Sequence, residues 1–162
     1  MFIAIVSDSH GDIQSLSKVI YFLNNLKIDI FAHLGDSISD LNNINNFNFS
    51  TIYKIPGTRD SGYDKINKRN IFIELMGFKI SFSHTLEDAI QSGDIIISGH
   101  THIPKAYYQN NKLYLNPGHI INNHLRYPDS TFMLLEIFES RKISVKIYNI
   151  NFNLIFEKEF IF

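Results

Sequence analysis

Short runs of branched apolar residues punctuate this chain, and each closes on a polar or glycine-containing turn. "FIAIVS" (2–7) is almost wholly apolar, the pattern of a strand covered on both faces. After "DSHGD" the rhythm changes. Ile13, Leu16, Val19, Ile20, Leu23 and Leu26 recur at helical spacing, with Asp12 placed to cap the first turn. "DIFAHLGD" (29–36) and "TIYKIPG" (51–57) are again short apolar runs. The first half therefore predicts strand, helix, strand, helix or loop, strand, the signature of a parallel α/β layer.

The second half is dominated by strands. "IFIELMGFKISFSH" (71–84) predicts two strands joined at Met76-Gly77, "DIIISGH" a buried strand, and "KAYYQNNKLYLNPG" (105–118) a hairpin turning at Asn110-Asn111. Residues 130–160 add two or three more, with alternation clearest in "KISVKIYNI". No repeat, linker or low-complexity tract interrupts the pattern, so the expectation is one domain over residues 1–162, with two facing sheets and helices outside.

Composition narrows the chemistry. The chain is 44% hydrophobic and 19% charged, ordinary for a globular protein, and its formal net charge of -1 offers no electrostatic footprint for nucleic acid. Cysteine is absent, so any metal must be bound through nitrogen and oxygen. "MFIAIVSDSH" lacks a basic leader and meets an aspartate within a few residues, and no apolar run approaches membrane-spanning length. A cytoplasmic protein with no membrane partner is expected.

Candidate chemistry collects where α/β sheets bind ligands, at the carboxyl ends of strands. Following the predicted strands in order come Asp8 and His10, then Asp36, then Thr58, Arg59 and Asp60, then His84, then His100 and His102, and finally Asn116. Turn chemistry alone would supply Gly, Asn, Ser or Pro. In an extended segment residues i and i+2 point the same way, about 6–7 Å apart, and Asp8/His10 and His100/His102 are both such pairs. Two pairs of that span can flank metal ions about 3.5–4 Å apart, with a shared carboxylate between them. Asp36, after Gly35, is the candidate bridge.

Taken in order, "SDSH", "LGDS", "PGTRD", "SFSHT", "SGHTH" and "LNPGH" resemble the motifs of the calcineurin-like metallophosphoesterases, most closely their small single-domain phosphodiesterases of bacteria and archaea. The resemblance covers residues 7–119 and implies an α/β fold, a four-layer α/β/β/α sandwich of two facing mixed sheets with helices outside. It also implies two divalent metal ions. One would be held by Asp8, His10, Asp36 and His102, the other by Asp36, His84, His100 and the residue at position 58. By this reading His100 and His102 serve one metal each.

The family's turn is usually Gly-Asn-x-Asp or Gly-Asn-His-Glu, whereas this chain has Gly57-Thr58-Arg59-Asp60. A threonine hydroxyl is a shorter and weaker ligand than an amide oxygen, which predicts a more weakly held second ion. Arg59 stands where some relatives carry a histidine that is a candidate acid for the leaving group. A guanidinium keeps its proton, but it can clamp a phosphate oxygen. Asp36, His84 and Arg59 are therefore the expected catalytic residues. His33 is expected in the core, His119 and His124 in a surface loop with approach to the site as the alternative for His119, and Asp60 as a residue that orients its neighbours. Asn116 either hydrogen-bonds behind the site or starts the Asn-Pro-Gly turn.

The function implied is metal-dependent hydrolysis of a small phosphoester, more readily a diester, by a hydroxide activated between two metals. Mn²⁺ is the first expectation, with Zn²⁺, Fe²⁺ or Ni²⁺ as alternatives for an imidazole–carboxylate set. The rival reading is a non-catalytic interaction scaffold, because the family resemblance includes a retromer subunit that keeps this fold with an impaired metal site. Nuclease action is a weaker third, and self-association into a homo-oligomer stays open.

Overall fold

The computed structural model describes residues 1–122 and 129–162; His124 lies outside the described residues. Its strands are β1 (Phe2–Val6), β2 (Ile30–His33), β3 (Thr51–Lys54), β4 (Asn70–Leu75), β5 (Phe78–Ser83), β6 (Ile95–Ser98), β7 (Lys105–Gln109), β8 (Lys112–Asn116), β9 (Thr131–Ile137), β10 (Lys142–Asn149) and β11 (Leu154–Ile161). One α-helix, α1 (Ile13–Asn24), follows β1, and short 3-10 helices occupy Ile38–Asn43 and Tyr63–Lys65.

Two mixed sheets face each other. The first runs β11-β10-β9-β1-β2-β3 and the second β4-β5-β6-β8-β7. In the first, β1, β2 and β3 are parallel and β9 joins β1 antiparallel. In the second, β5, β6 and β8 are parallel, while β4 and β7 cap the edges antiparallel.

The all-apolar reading of β1 follows from burial on both sides. Ile3 and Ile5 point between the sheets with Phe82, Ile97 and Leu135, whereas Ala4 and Val6 point outward against Leu16, Val19 and Leu23 of α1. Asp12 caps α1 as expected, its carboxylate accepting the Ser15 N–H at 2.9 Å. Leu26 falls just beyond the helix end at Asn24, yet still packs on the same apolar cluster. Both predicted tight turns form, with positive φ at Met76 and Gly77 and at Asn110 and Asn111.

The helical layers are thinner than the sequence suggested. Among the described residues only the first sheet carries an α-helix. The outer face of the second is covered in part by the irregular connection between β5 and β6, where Ile90 N–H donates to the outward-facing Ser81 at 2.9 Å. Leu86, Ala89 and Ile90 have the spacing of one helical turn, too short a stretch to nucleate a helix in this eleven-residue crossover. No helix among the described residues is long and apolar enough to cross a membrane.

Candidate metal centre

The parallel strands of both sheets end on one rim, and the predicted residues meet there. Ligand-type atoms of Asp8, His10 and His102 form one group within 4.8 Å of one another, and those of Asp36, His84 and His100 form a second. Asp36 faces both. Its Oδ1 lies 3.3 Å from His84 Nε2, and its Oδ2 lies 3.7 Å from His10 Nε2.

Glycines make this convergence sterically possible. A Cβ on Gly35 would stand 2.5 Å from Gly57 N, so the turns after β2 and β3 touch backbone to backbone and bring Thr58 to Asp36. A Cβ on Gly99 would stand 2.0 Å from Ser7 Oγ, so only glycine lets the turn after β6 lie against the end of β1. Around these contacts the backbone is strained. Asp8, His10, Asp36, His100 and His102 all adopt positive φ, between 46° and 67°. Each such non-glycine conformation costs about 1–3 kcal/mol, and concentration of that cost in one place is typical of functional sites.

The donor atoms suit a cation. Asp8 is buried, and its Oδ1 makes no hydrogen bond among the described residues although it lies 3.2 Å from His102 Nε2. Its Oδ2 accepts the His100 backbone N–H at 3.0 Å, which aims the carboxylate. His10 Nε2 and His102 Nε2 face each other at 3.2 Å, and His84 Nε2 and His100 Nδ1 at 3.1 Å. Two nitrogens each about 2.1 Å from one ion and meeting at a right angle stand about 3.0 Å apart, so both gaps fit a shared cation.

Hydrogen bonding fixes which atoms are offered. His84 Nδ1 donates to the Leu34 carbonyl at 2.7 Å, leaving Nε2 toward Asp36 and His100. Burial alone would lower the His84 pKa, but the Asp36 and Asp8 carboxylates outweigh it and raise it. Burial would likewise raise Asp36, but hydrogen bonds from His84 and the Arg59 N–H hold its carboxyl well below the usual range. Both shifts have the same cause, the Asp36 carboxylate and the His84 imidazole held close together. His10 moves the other way, depressed chiefly by desolvation and also by His102 and Arg59, against the pull of Asp36 and Asp8.

Thr58 and Arg59 lie exposed at the rim. The Thr58 hydroxyl donates to Asp36 Oδ1 at 3.3 Å, and the Arg59 backbone N–H donates to the same oxygen at 2.8 Å. Asp60 does what was expected of it, accepting the N–H groups of Ser37, Ile38 and Gly57 at 2.7–3.0 Å. Asn116 does both things proposed for it. Its side-chain amide donates to the Gly99 carbonyl and to Thr101, while its oxygen accepts the Gly118 N–H of the turn.

One expectation is corrected. His119 does not sit in a surface loop but approaches the site, the alternative reading: it is fully buried, with its ring centroid 5.3 Å from that of His102. The Asn-Pro-Gly turn after β8 directs the chain inward, and Thr131 N–H pins the His119 carbonyl at 2.7 Å. Sequence reading also missed Ser9 and Asp40, both buried beneath the site. Asp40 carried no signal, because it lies in a 3-10 turn that no periodicity marks.

The calcineurin-like phosphoesterase superfamily domain matches residues 1–140, and the chain belongs to that superfamily. A phosphodiesterase of Methanocaldococcus jannaschii is 30% identical over 138 residues, covering 73% of this chain and 83% of its own. Among solved structures, a single mutant of Vps29 from Entamoeba histolytica superposes with a TM-score of 0.75 at 22% identity, covering 100% of this chain and 99% of its own. The phosphoesterase Yfce of E. coli gives a TM-score of 0.74 at 18% identity, covering 98% of both chains. At such identities these two structures establish the shared fold alone.

Proposed function

We propose that the protein is a metal-dependent phosphodiesterase working with two divalent cations, Mn²⁺ being the first candidate and Zn²⁺, Fe²⁺ or Ni²⁺ the alternatives. The observation that carries this reading is Asp36, whose two oxygens face two separate His/Asp groups. Asp8, His10 and His102 would hold one ion and His84 and His100 with Thr58 the other, with Asp36 offering one carboxylate oxygen to each group. Divalent ions in such a pair neutralise phosphate charge and bring the pKa of a water toward neutrality. Of the protein's own groups, the His84–Leu34 hydrogen bond keeps one imidazole in the tautomer that offers Nε2. The exposed Arg59 guanidinium clamps a phosphate oxygen at the rim. The substrate is a small phosphoester met away from membranes and nucleic acid, in the cytoplasm.

The test is a chromogenic phosphodiester assayed with Mn²⁺ and with chelator. Cleavage in Mn²⁺ alone, with monoesters cleaved more slowly, is the expected result. A second reading, a protein-interaction scaffold with an impaired second site, is favoured by Thr58 in place of the family's asparagine and by the fold shared with Vps29. Protein that folds and binds one ion but cleaves no ester under any metal would make the scaffold the better reading.

A further inference from the structure

The turn joining β1 to α1 carries Asp8 and His10, both at positive φ, and a strained turn needs something to hold it. What holds it lies underneath. His33, fully buried at the end of β2, accepts the Gly35 N–H on Nδ1 at 3.2 Å. Burial holds the ring neutral, with its pKa lowered to about 4 against the pull of Asp8, Asp60 and Asp40. A neutral ring accepting on Nδ1 carries its proton on Nε2, which therefore donates to Ser9 Oγ at 3.1 Å. Ser9 in turn donates to Asp40 Oδ2 at 2.8 Å, and the same oxygen accepts the Gly11 backbone N–H at 2.8 Å.

We infer that Asp40, acting through Ser9 and Gly11 and backed by His33, is a positioning residue that holds Asp8 and His10 in ligand-ready geometry before any metal arrives. The inference rests on the metal-centre reading above. The two donations to Asp40 grip the turn on either side of His10: Ser9 precedes it and Gly11 follows it. A third restraint, His10 N–H to the Asp36 carbonyl at 3.2 Å, ties that turn to the one bearing the bridge. Since none of the chain Asp40–Ser9–His33 is a ligand, its effect reaches the ion only through the orientation of Asp8 and His10. Asp40 serves as an acceptor, so an amide oxygen in its place keeps the function and a methyl does not.

The experiment is Mn²⁺ titration by calorimetry, paired with amide hydrogen exchange of the chelated protein, on wild type, Asp40→Asn, Asp40→Ala and Ser9→Ala. Expected for Asp40→Ala and Ser9→Ala is on the order of 10-fold weaker binding at the Asp8/His10/His102 group, the range found when residues behind metal ligands are removed. Asp40→Asn stays within about threefold of wild type, well inside that range. In the chelated Asp40→Ala protein, Gly11 N–H exchanges faster while the amides of β9 and β10 keep their protection, which a general loss of fold would not allow. If Asp40→Ala does not fold, Ser9→Ala carries the same expectation alone. Wild-type Mn²⁺ affinity in Ser9→Ala, or equal losses in Asp40→Asn and Asp40→Ala, overturns the inference and leaves the parent reading standing. Wild-type protein that takes up no Mn²⁺ overturns both.

Discussion

The two halves of the site differ in how completely the protein closes them. Each group has two of three side chains buried, but around Asp8 the third, His10, is half-buried, one carboxylate oxygen makes no hydrogen bond among the described residues, and a hydrogen-bonded chain to Asp40 supports the turn from below. Around His84 and His100 the floor is equally firm, with Nδ1 of His84 bound to the Leu34 carbonyl, but the wall is open. There His100 is exposed, and so is a threonine whose hydroxyl lies 3.3 Å from Asp36 Oδ1. The contrast teaches that a shared rim and a similar set of histidines need not offer an ion equal enclosure. Affinity depends on the last ligand and on what holds the others still.

The bridge is the place to break the comparison outright. Asp36→Asn is expected to strip metal from both groups and to lower diesterase turnover at least about 100-fold, since even residues behind the ligands are worth about 10–100-fold. The residue lies at a strand end, so the fold survives. Near-normal turnover in this variant would sink the two-metal reading.

Acid should expose the support beneath the first group. His33 titrates near 6.5 when unfolded and near 4 when folded, so the unfolded chain binds the extra proton in between. Stability from this neutral ring is complete above about pH 6.5 and is lost as pH falls toward 4. The loss is about 2 kcal/mol by pH 5 and about 3 kcal/mol in full. Urea unfolding of chelated protein at pH 7 and pH 5 measures it. The pH dependence should shrink by that amount in His33→Gln, and an unchanged dependence would show that the ring does not titrate in this way.

The open wall can be sharpened by closing it. Thr58→Asn is expected to tighten the weaker of two Mn²⁺ binding steps by about 10-fold and to raise activity at limiting Mn²⁺, while the tighter step stays put. Two equal steps in wild type, untouched by the substitution, would mean that Thr58 or another group already completes the second set.

The smallest effect probes strain. His100 is exposed with φ of 67°, a conformation that glycine adopts freely. His100→Gly should stabilise chelated protein by about 1 kcal/mol while abolishing the weaker metal step. A variant no more stable than wild type would show that the turn is not strained at this position.

Much of this was legible in the chain. Strands buried on two faces, the capped helix, both hairpin turns and the ligand-type residues at strand ends all rest on local patterns with periods of 2 or 3.6, or on fixed turn residues. The departure at Thr58, on which the proposed asymmetry rests, is visible in the chain as a single position in a motif. Other features had no local trace. Whether His119 faces solvent or His102 depends on where β8 and β9 place the turn between them, and Asp40 matters only because Ser9 and Gly11, about 30 positions earlier, come within 2.8 Å. The outer cover of the second sheet is irregular rather than helical because its segment is too short to nucleate, a matter of connection length and not of residue preference. By itself the sequence determined which ligand-type residues the rim would hold. Only the tertiary structure, through glycine contacts between turns far apart in the chain and the register of two sheets, decided how those residues face one another and what supports them from beneath.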